Sequence, residues 1–154
     1  MGFALLLHTV AATVWVGGMF FALICLRPAA TNLEPAQRLQ LWEGALRRFF
    51  PWVLMFALVL LVTGLWMIFT VLGGMQAVGP HVHIMVGLGV LMMLLALHVF
   101  FAPFKRLRAA VAGGHWTDAG KNLNQIRMAL TVNLILGLRV IAVASGGRYF
   151  FVTL

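Results

Sequence analysis

An all-α integral membrane protein is what this sequence predicts: a four-helix bundle with both termini on the outer face. Three observations predict it. Four apolar runs are each long enough to cross a bilayer. Only 9% of the 154 residues are charged, against roughly 25% in a soluble domain. The basic residues gather in alternate connections between the runs. With 63% of its residues hydrophobic, the chain lacks the polar surface to face water all round, so lipid is the solvent for much of it.

A hydrocarbon core about 30 Å thick takes roughly 20 residues of helix. The first span is expected over about residues 2–26, ending at Arg27-Pro28. Its start, Met1-Gly2-Phe3-Ala4-Leu5, has no basic segment, and the apolar run outlasts a signal-peptide core, so it reads as a retained helix. The second span is expected over 49–73, with Pro51 in its first turn, where a missing N–H costs little. The third covers 80–104, opening after Gly79-Pro80. The fourth covers 127–146 and stops at Gly146-Gly147, with an earlier start signalled by Thr117-Asp118. Together they make a single domain, 1–154. Cys25, the only cysteine, allows no intrachain disulfide.

The connections fix the expected topology. The first carries Arg27, Arg38, Arg47 and Arg48; the third carries Lys105, Arg106, Arg108, Lys121 and Arg127; the second, 73–79, carries no charge. The positive-inside rule places the first and third in the cytoplasm. It also explains the net charge of +8 without a nucleic-acid partner. In the first connection, Leu39, Trp42 and Leu46 recur at helical spacing among Arg38, Glu43 and Arg47. That pattern reads as a short amphipathic segment on the membrane surface, or as an inward extension of the second helix.

Depth then sorts the ionisable residues. His8 lies in the outer third of the first span, and His81 and His83 lie near the outer end of the third, so His8 and His83 share a level. His98 follows about 22 Å deeper, within about 60° of the same helix face as His83. Ionisable groups within a membrane usually face the protein interior, although a lone neutral imidazole often only hydrogen-bonds a neighbouring helix. Two imidazoles facing each other across a bundle make an axial pair for haem iron. Trp15, on the same face as His8, either walls a flat cofactor or packs in the core. Arg139 sits in the outer half of the fourth span, while the three acids, Glu34, Glu43 and Asp118, are all in cytoplasmic connections. Its counter-ion is therefore a ligand carboxylate, such as a haem propionate, or a lipid phosphate reached by snorkelling. Asn133 is expected to hydrogen-bond between helices.

A copper reading uses other atoms. Met75, His81, His83 and Met85 cluster at the outer end of the third span, and thioether and imidazole suit Cu(I). In a regular helix His81 and His83 point about 160° apart, so one site takes both only if the helix start is irregular. His115 is expected to be a solvated loop residue. No nucleophile triad, phosphate-cradling loop, paired-carboxylate site or zinc motif is present, and enzymes that need acidic groups in the site are excluded.

The stretch from Leu7-His8-Thr9 through Val14-Trp15-Val16-Gly17-Gly18-Met19-Phe20, and the run Asn133-Leu134-Ile135-Leu136-Gly137-Leu138, resemble CopD-type copper-resistance membrane proteins. That resemblance implies copper movement across, or copper handling at, a bacterial-type inner membrane. His8 with Trp15 and Gly18, and His83-Ile84 with His98, are also similar to the HemJ-type protoporphyrinogen oxidases. Those are b-type haem proteins, which implies haem near His8 and His83. Met85 stands where that family has lysine, which sets this chain apart in the oxidase chemistry more than in the haem.

The leading expectation is a haem-b protein with a redox role. His8 and His83 would be the axial ligands and Arg139 would hold a propionate, with a quinone or porphyrin-like substrate as partner. The alternatives are copper transport or copper handling, and a structural subunit of a homo-oligomer or larger membrane complex.

Overall fold

The computed structural model describes residues 1–150, with side chains as far as Gly146. Four long helices run up and down: α1 (Gly2–Asn32), α2 (Pro35–Val71), α3 (Pro80–Ala112) and α4 (Trp116–Phe150). All four are long and apolar enough to cross a membrane, as the apolar runs require.

The helices are longer than those runs. α2 has 37 residues, about 55 Å at 1.5 Å per residue, nearly twice a bilayer core. The first connection shrinks to Leu33 and Glu34, and residues 35–48 form the start of α2 rather than a surface segment. α4 likewise starts at Trp116, at the earlier position that Thr117-Asp118 signalled rather than near 127. The polar stretches continue as helix because their periodicity supplies one apolar stripe, and that stripe has a partner. Leu39, Trp42 and Leu46 are buried against Leu107 and Ala110 of α3 and Ala119, Leu123 and Ile126 of α4. Trp42 is 1% exposed and Leu107 0%. Water drives this packing, because an apolar stripe in an aqueous setting gains about 1.5–3 kcal/mol per large side chain on burial. Polar contacts clasp the rim. Glu43 pairs with Arg47 at 3.9 Å and Arg108 at 3.7 Å. Arg106 donates to Asn122 Oδ1 at 3.0 Å and Gln125 Oε1 at 3.1 Å.

Turn chemistry closes the ends. α3 turns into α4 through Gly113-Gly114-His115, where Gly114 has φ +71° and the His115 N–H donates to Ala110 O at 2.8 Å. α2 ends at Gly73 and Gly74, with φ +81° and +94°; the Gly74 N–H donates to Ile68 O at 2.8 Å. Both are left-handed stops that glycine alone adopts without strain.

The outer half packs differently. α3 has no buried residue before Met92, and among the described side chains of α4 none is buried beyond Gly137. Large apolar groups such as Phe3, Leu58, Phe69 and Leu138 are exposed on the flanks. In lipid this costs nothing, since hydrocarbon solvates them as well as a protein core would. The same freedom lets the outer helices stand apart.

Candidate functional site

Where the outer helices part, they enclose a cavity of about 290 Å³. It reaches from Met1, Leu72 and Val82 at the outer ends down to Trp15 and Gly137 mid-bundle. Gly137 sets its floor: a Cβ there would lie 2.7 Å from Val16 Cγ2 and 3.1 Å from Met92 Cε. Only glycine lets α4 approach α1 and α3 this closely.

Among the described residues, His8 is the only ionisable side chain on the cavity wall. Its ring is seated on α2 by two consecutive residues. Gly64 presents bare backbone: a Cβ there would stand 3.2 Å from His8 Cε1. Thr63, 8% exposed, holds Nδ1 at 2.8 Å. The Thr63 hydroxyl already donates its one proton to Val59 O at 2.6 Å, so towards the imidazole it accepts. The ring must then be protonated on Nδ1. That tautomer leaves the lone pair on Nε2. An imidazole whose N–H is held by an oxygen while its other nitrogen stays free is the usual arrangement of a metal-ligating histidine.

The other candidate donors on the wall are soft. Met67, Met85, Met92 and Met93, with Met1 at the outer end, line the cavity with His8 and Trp15. Trp15, 2% exposed, also walls a second pocket of about 10 Å³ beneath it, roughly the space one water needs. Asn133 lines that small pocket, and its Oδ1 is buried without a hydrogen-bond partner. The expected helix-to-helix bond through that oxygen is therefore not formed.

The remaining candidates lie elsewhere. His83 is exposed; its Nδ1 donates back to Gly79 O at 3.3 Å, and the residue is not on the cavity wall. His81 folds over Gly79, where a Cβ would lie 2.9 Å from its Cε1. Met75 is half-buried in the outer turn, away from the wall that Met85 joins. His98 and Arg139 are both exposed. His115 is exposed in its turn, as expected. Among the described residues no three His, Cys, Asp or Glu side chains group closely enough to hold a metal ion.

This arrangement does not fit a bis-histidine haem. Such a group needs both rings in one cavity and an anchor for its propionates. Here one ring faces the cavity, the other turns back on its own helix, and Arg139 is off the wall. The donor set does fit Cu(I), which takes thioether and neutral imidazole together.

Thr63, Gly64, Met67, Met92 and Met93 are site residues that sequence reasoning passed over. One signal for the first pair was present: Thr63 is the only hydroxyl between Phe49 and Phe69 in the second apolar run, and Gly64 follows it. Among known proteins, a family model described as copper resistance protein D matches residues 43–146. That span takes in most of α2, all of α3 and α4 to Gly146, with the His8 seat, Met67, Met85, Met92 and Met93. No curated protein and no solved structure matches the chain.

Proposed function

The chain belongs to the copper resistance protein D family, and from that premise we propose that it handles copper as cargo in a bacterial-type inner membrane. The outer cavity would be where Cu(I) is held, by His8 Nε2 and the thioethers of Met67, Met85, Met92 and Met93. One observation carries this reading: the single imidazole among the described wall residues has Nδ1 tied to Thr63 and the lone pair of Nε2 free.

The ligand chemistry selects the oxidation state. Moving an ion out of water into an apolar cavity costs several kcal/mol even after relaxation, and the cost grows with the square of the charge. Among the described residues the wall has no carboxylate to offset a second positive charge, so it suits Cu(I) over Cu(II). Imidazole and thioether hold the ion, while the apolar remainder keeps water and hard anions away. Gly64 and Thr63 keep the ring at one orientation, so ordering it costs little when the ion arrives.

The test is Cu(I) affinity in detergent, measured against a chromophoric Cu(I) chelator. His8→Ala should lose binding, and His83→Ala should keep it. Loss in His83→Ala with retention in His8→Ala would transfer the site to the outer end of α3 and end this reading. An optical spectrum decides the redox alternative: a Soret band abolished by His8→Ala would make haem the ligand in spite of the wall composition.

A further inference from the structure

The cavity beside His8 is not closed on every side. α2 and α3 meet where the Phe50 ring packs on Phe100 and Phe104, with ring centres 5.6 Å and 4.7 Å apart. Further out, α3 buries no side chain before Met92, and its contact with α2 is sparse. The two helices therefore splay from an aromatic joint. Residues at the gap belong to two surfaces at once. Leu61 and Leu65 of α2 and Val90 of α3 line the cavity, yet they are 40%, 40% and 42% exposed. Leu58, Val62 and Leu94, on the same two helices, are more exposed still and lie off the wall. The cavity wall thus runs without a break into the flank that faces lipid.

What fills the space follows from its wall. Water occupies a cavity only where about two to four polar groups can hold each molecule. Among the described wall residues only His8 and Trp15 have a side chain with a hydrogen-bonding nitrogen, and His8 Nδ1 is already held by Thr63. A space of about 290 Å³ with nothing in it would leave its lining atoms without dispersion partners. Hydrocarbon is the solvent outside the opening, and it matches the wall, because lipid tails are as apolar as leucine. From this continuity we infer that the cavity takes in one acyl chain of a phospholipid from the adjoining leaflet, entering sideways between α2 and α3. The chain lies along Leu61, Leu65 and Val90 and ends near Trp15 and Gly137 at the floor. There it keeps water from the His8 ring. The inference needs only the cavity and its opening, whatever ion His8 holds.

Bromine on a lipid chain quenches tryptophan fluorescence at close approach, and Trp15 stands at the floor of the cavity. The full chain with Trp52, Trp66 and Trp116 replaced by phenylalanine keeps two tryptophans, Trp15 and Trp42, which are 2% and 1% exposed. It is placed in phosphatidylcholine vesicles whose chains carry bromine near the methyl end, and in unbrominated vesicles. Trp15 should be quenched although it is buried, and Trp15→Phe should remove the quenched component, leaving the signal of Trp42. Two glycines supply a matched pair of variants. Gly89 is on the wall and Gly87 is off it, and at both a Cβ meets nothing within 4 Å. Gly89→Phe, which plugs the cavity, should abolish the quenching. Gly89→Leu, a smaller plug, should reduce it and keeps the test open if the larger ring disturbs folding. Gly87→Phe should leave the quenching unchanged. An unquenched Trp15 in the parent, or full quenching in both Gly89 variants, overturns the assignment. No copper enters this measurement, so its failure and the failure of the Cu(I) titration are read separately.

Discussion

Thr63→Val tests the site most directly, because it leaves every proposed copper ligand in place. Valine nearly matches threonine in shape but removes the oxygen that accepts from His8 Nδ1 at 2.8 Å. Two consequences can be sized separately. For stability, one part-buried hydrogen bond is lost, a net contribution of about 0.5–1.5 kcal/mol. Val59 O, which loses the hydroxyl donor at 2.6 Å, is offered the ordinary backbone bond of α2, so nothing further is expected there. For function, the imidazole is freed to rotate and to exchange its proton between Nδ1 and Nε2. Removing the group that orients a ligating histidine typically lowers metal affinity about 10- to 100-fold. The expected result is therefore Cu(I) affinity down by at least about ten-fold, in a protein destabilised by only about 1 kcal/mol. Chelator competition reads the first quantity and chemical unfolding in detergent the second. Nitrogen-15 NMR of the histidine rings gives an independent view: His8 should be a single Nδ1–H tautomer in the parent and a mixture in Thr63→Val. Thr63→Ser keeps the oxygen and should keep both affinity and tautomer. Unchanged Cu(I) affinity in Thr63→Val, together with a mixed tautomer, would refute the claim that ring orientation matters to the site.

Three further outcomes follow from the same packing. Gly64→Ala places a Cβ 3.2 Å from His8 Cε1, so the ring must shift by tenths of an ångström, and Cu(I) affinity should fall several-fold with little loss of stability. Gly137→Ala meets Val16 Cγ2 at 2.7 Å and Met92 Cε at 3.1 Å; forcing the helices apart should cost about 1–3 kcal/mol in an unfolding titration. Trp42→Ala and Trp52→Ala should differ sharply. Trp42 is buried where the polar ends of the helices pack, and its loss should cost about 3–5 kcal/mol. Trp52 is 57% exposed on the flank, and its loss should stay within about 0.5 kcal/mol. Equal effects would mean that the polar ends of the helices are not the packed half of the molecule.

Legibility in the sequence varied with the solvent each segment meets. Leu39, Trp42 and Leu46 announced a helix by their spacing alone, because in water the apolar stripe must be hidden. Their partners, Leu107, Ala119, Leu123 and Ile126, lie on other helices, so the choice between a surface segment and an extension of α2 needed the assembled bundle. Apolar runs marked where lipid begins and ends, but helix does not stop where lipid does. This is why α2 and α4 began well before their apolar runs.

His8 was identifiable as a buried-site candidate from its depth, yet its paired histidine was not. His83 matches it in level, but the rotation of α3 turns that residue away and brings Met85, Met92 and Met93 to the cavity instead. By itself the sequence determined the four spans, the expected charge asymmetry and the likeness to copper-resistance proteins, since hydropathy and loop charge act locally along the chain. Only the tertiary structure decided which faces meet. A helix that is apolar all round gains nothing from hydrophobicity by facing one way in lipid. Its rotation is set by shape, as where Gly137 admits Val16 and Met92, and by single polar contacts such as the one between Thr63 and His8.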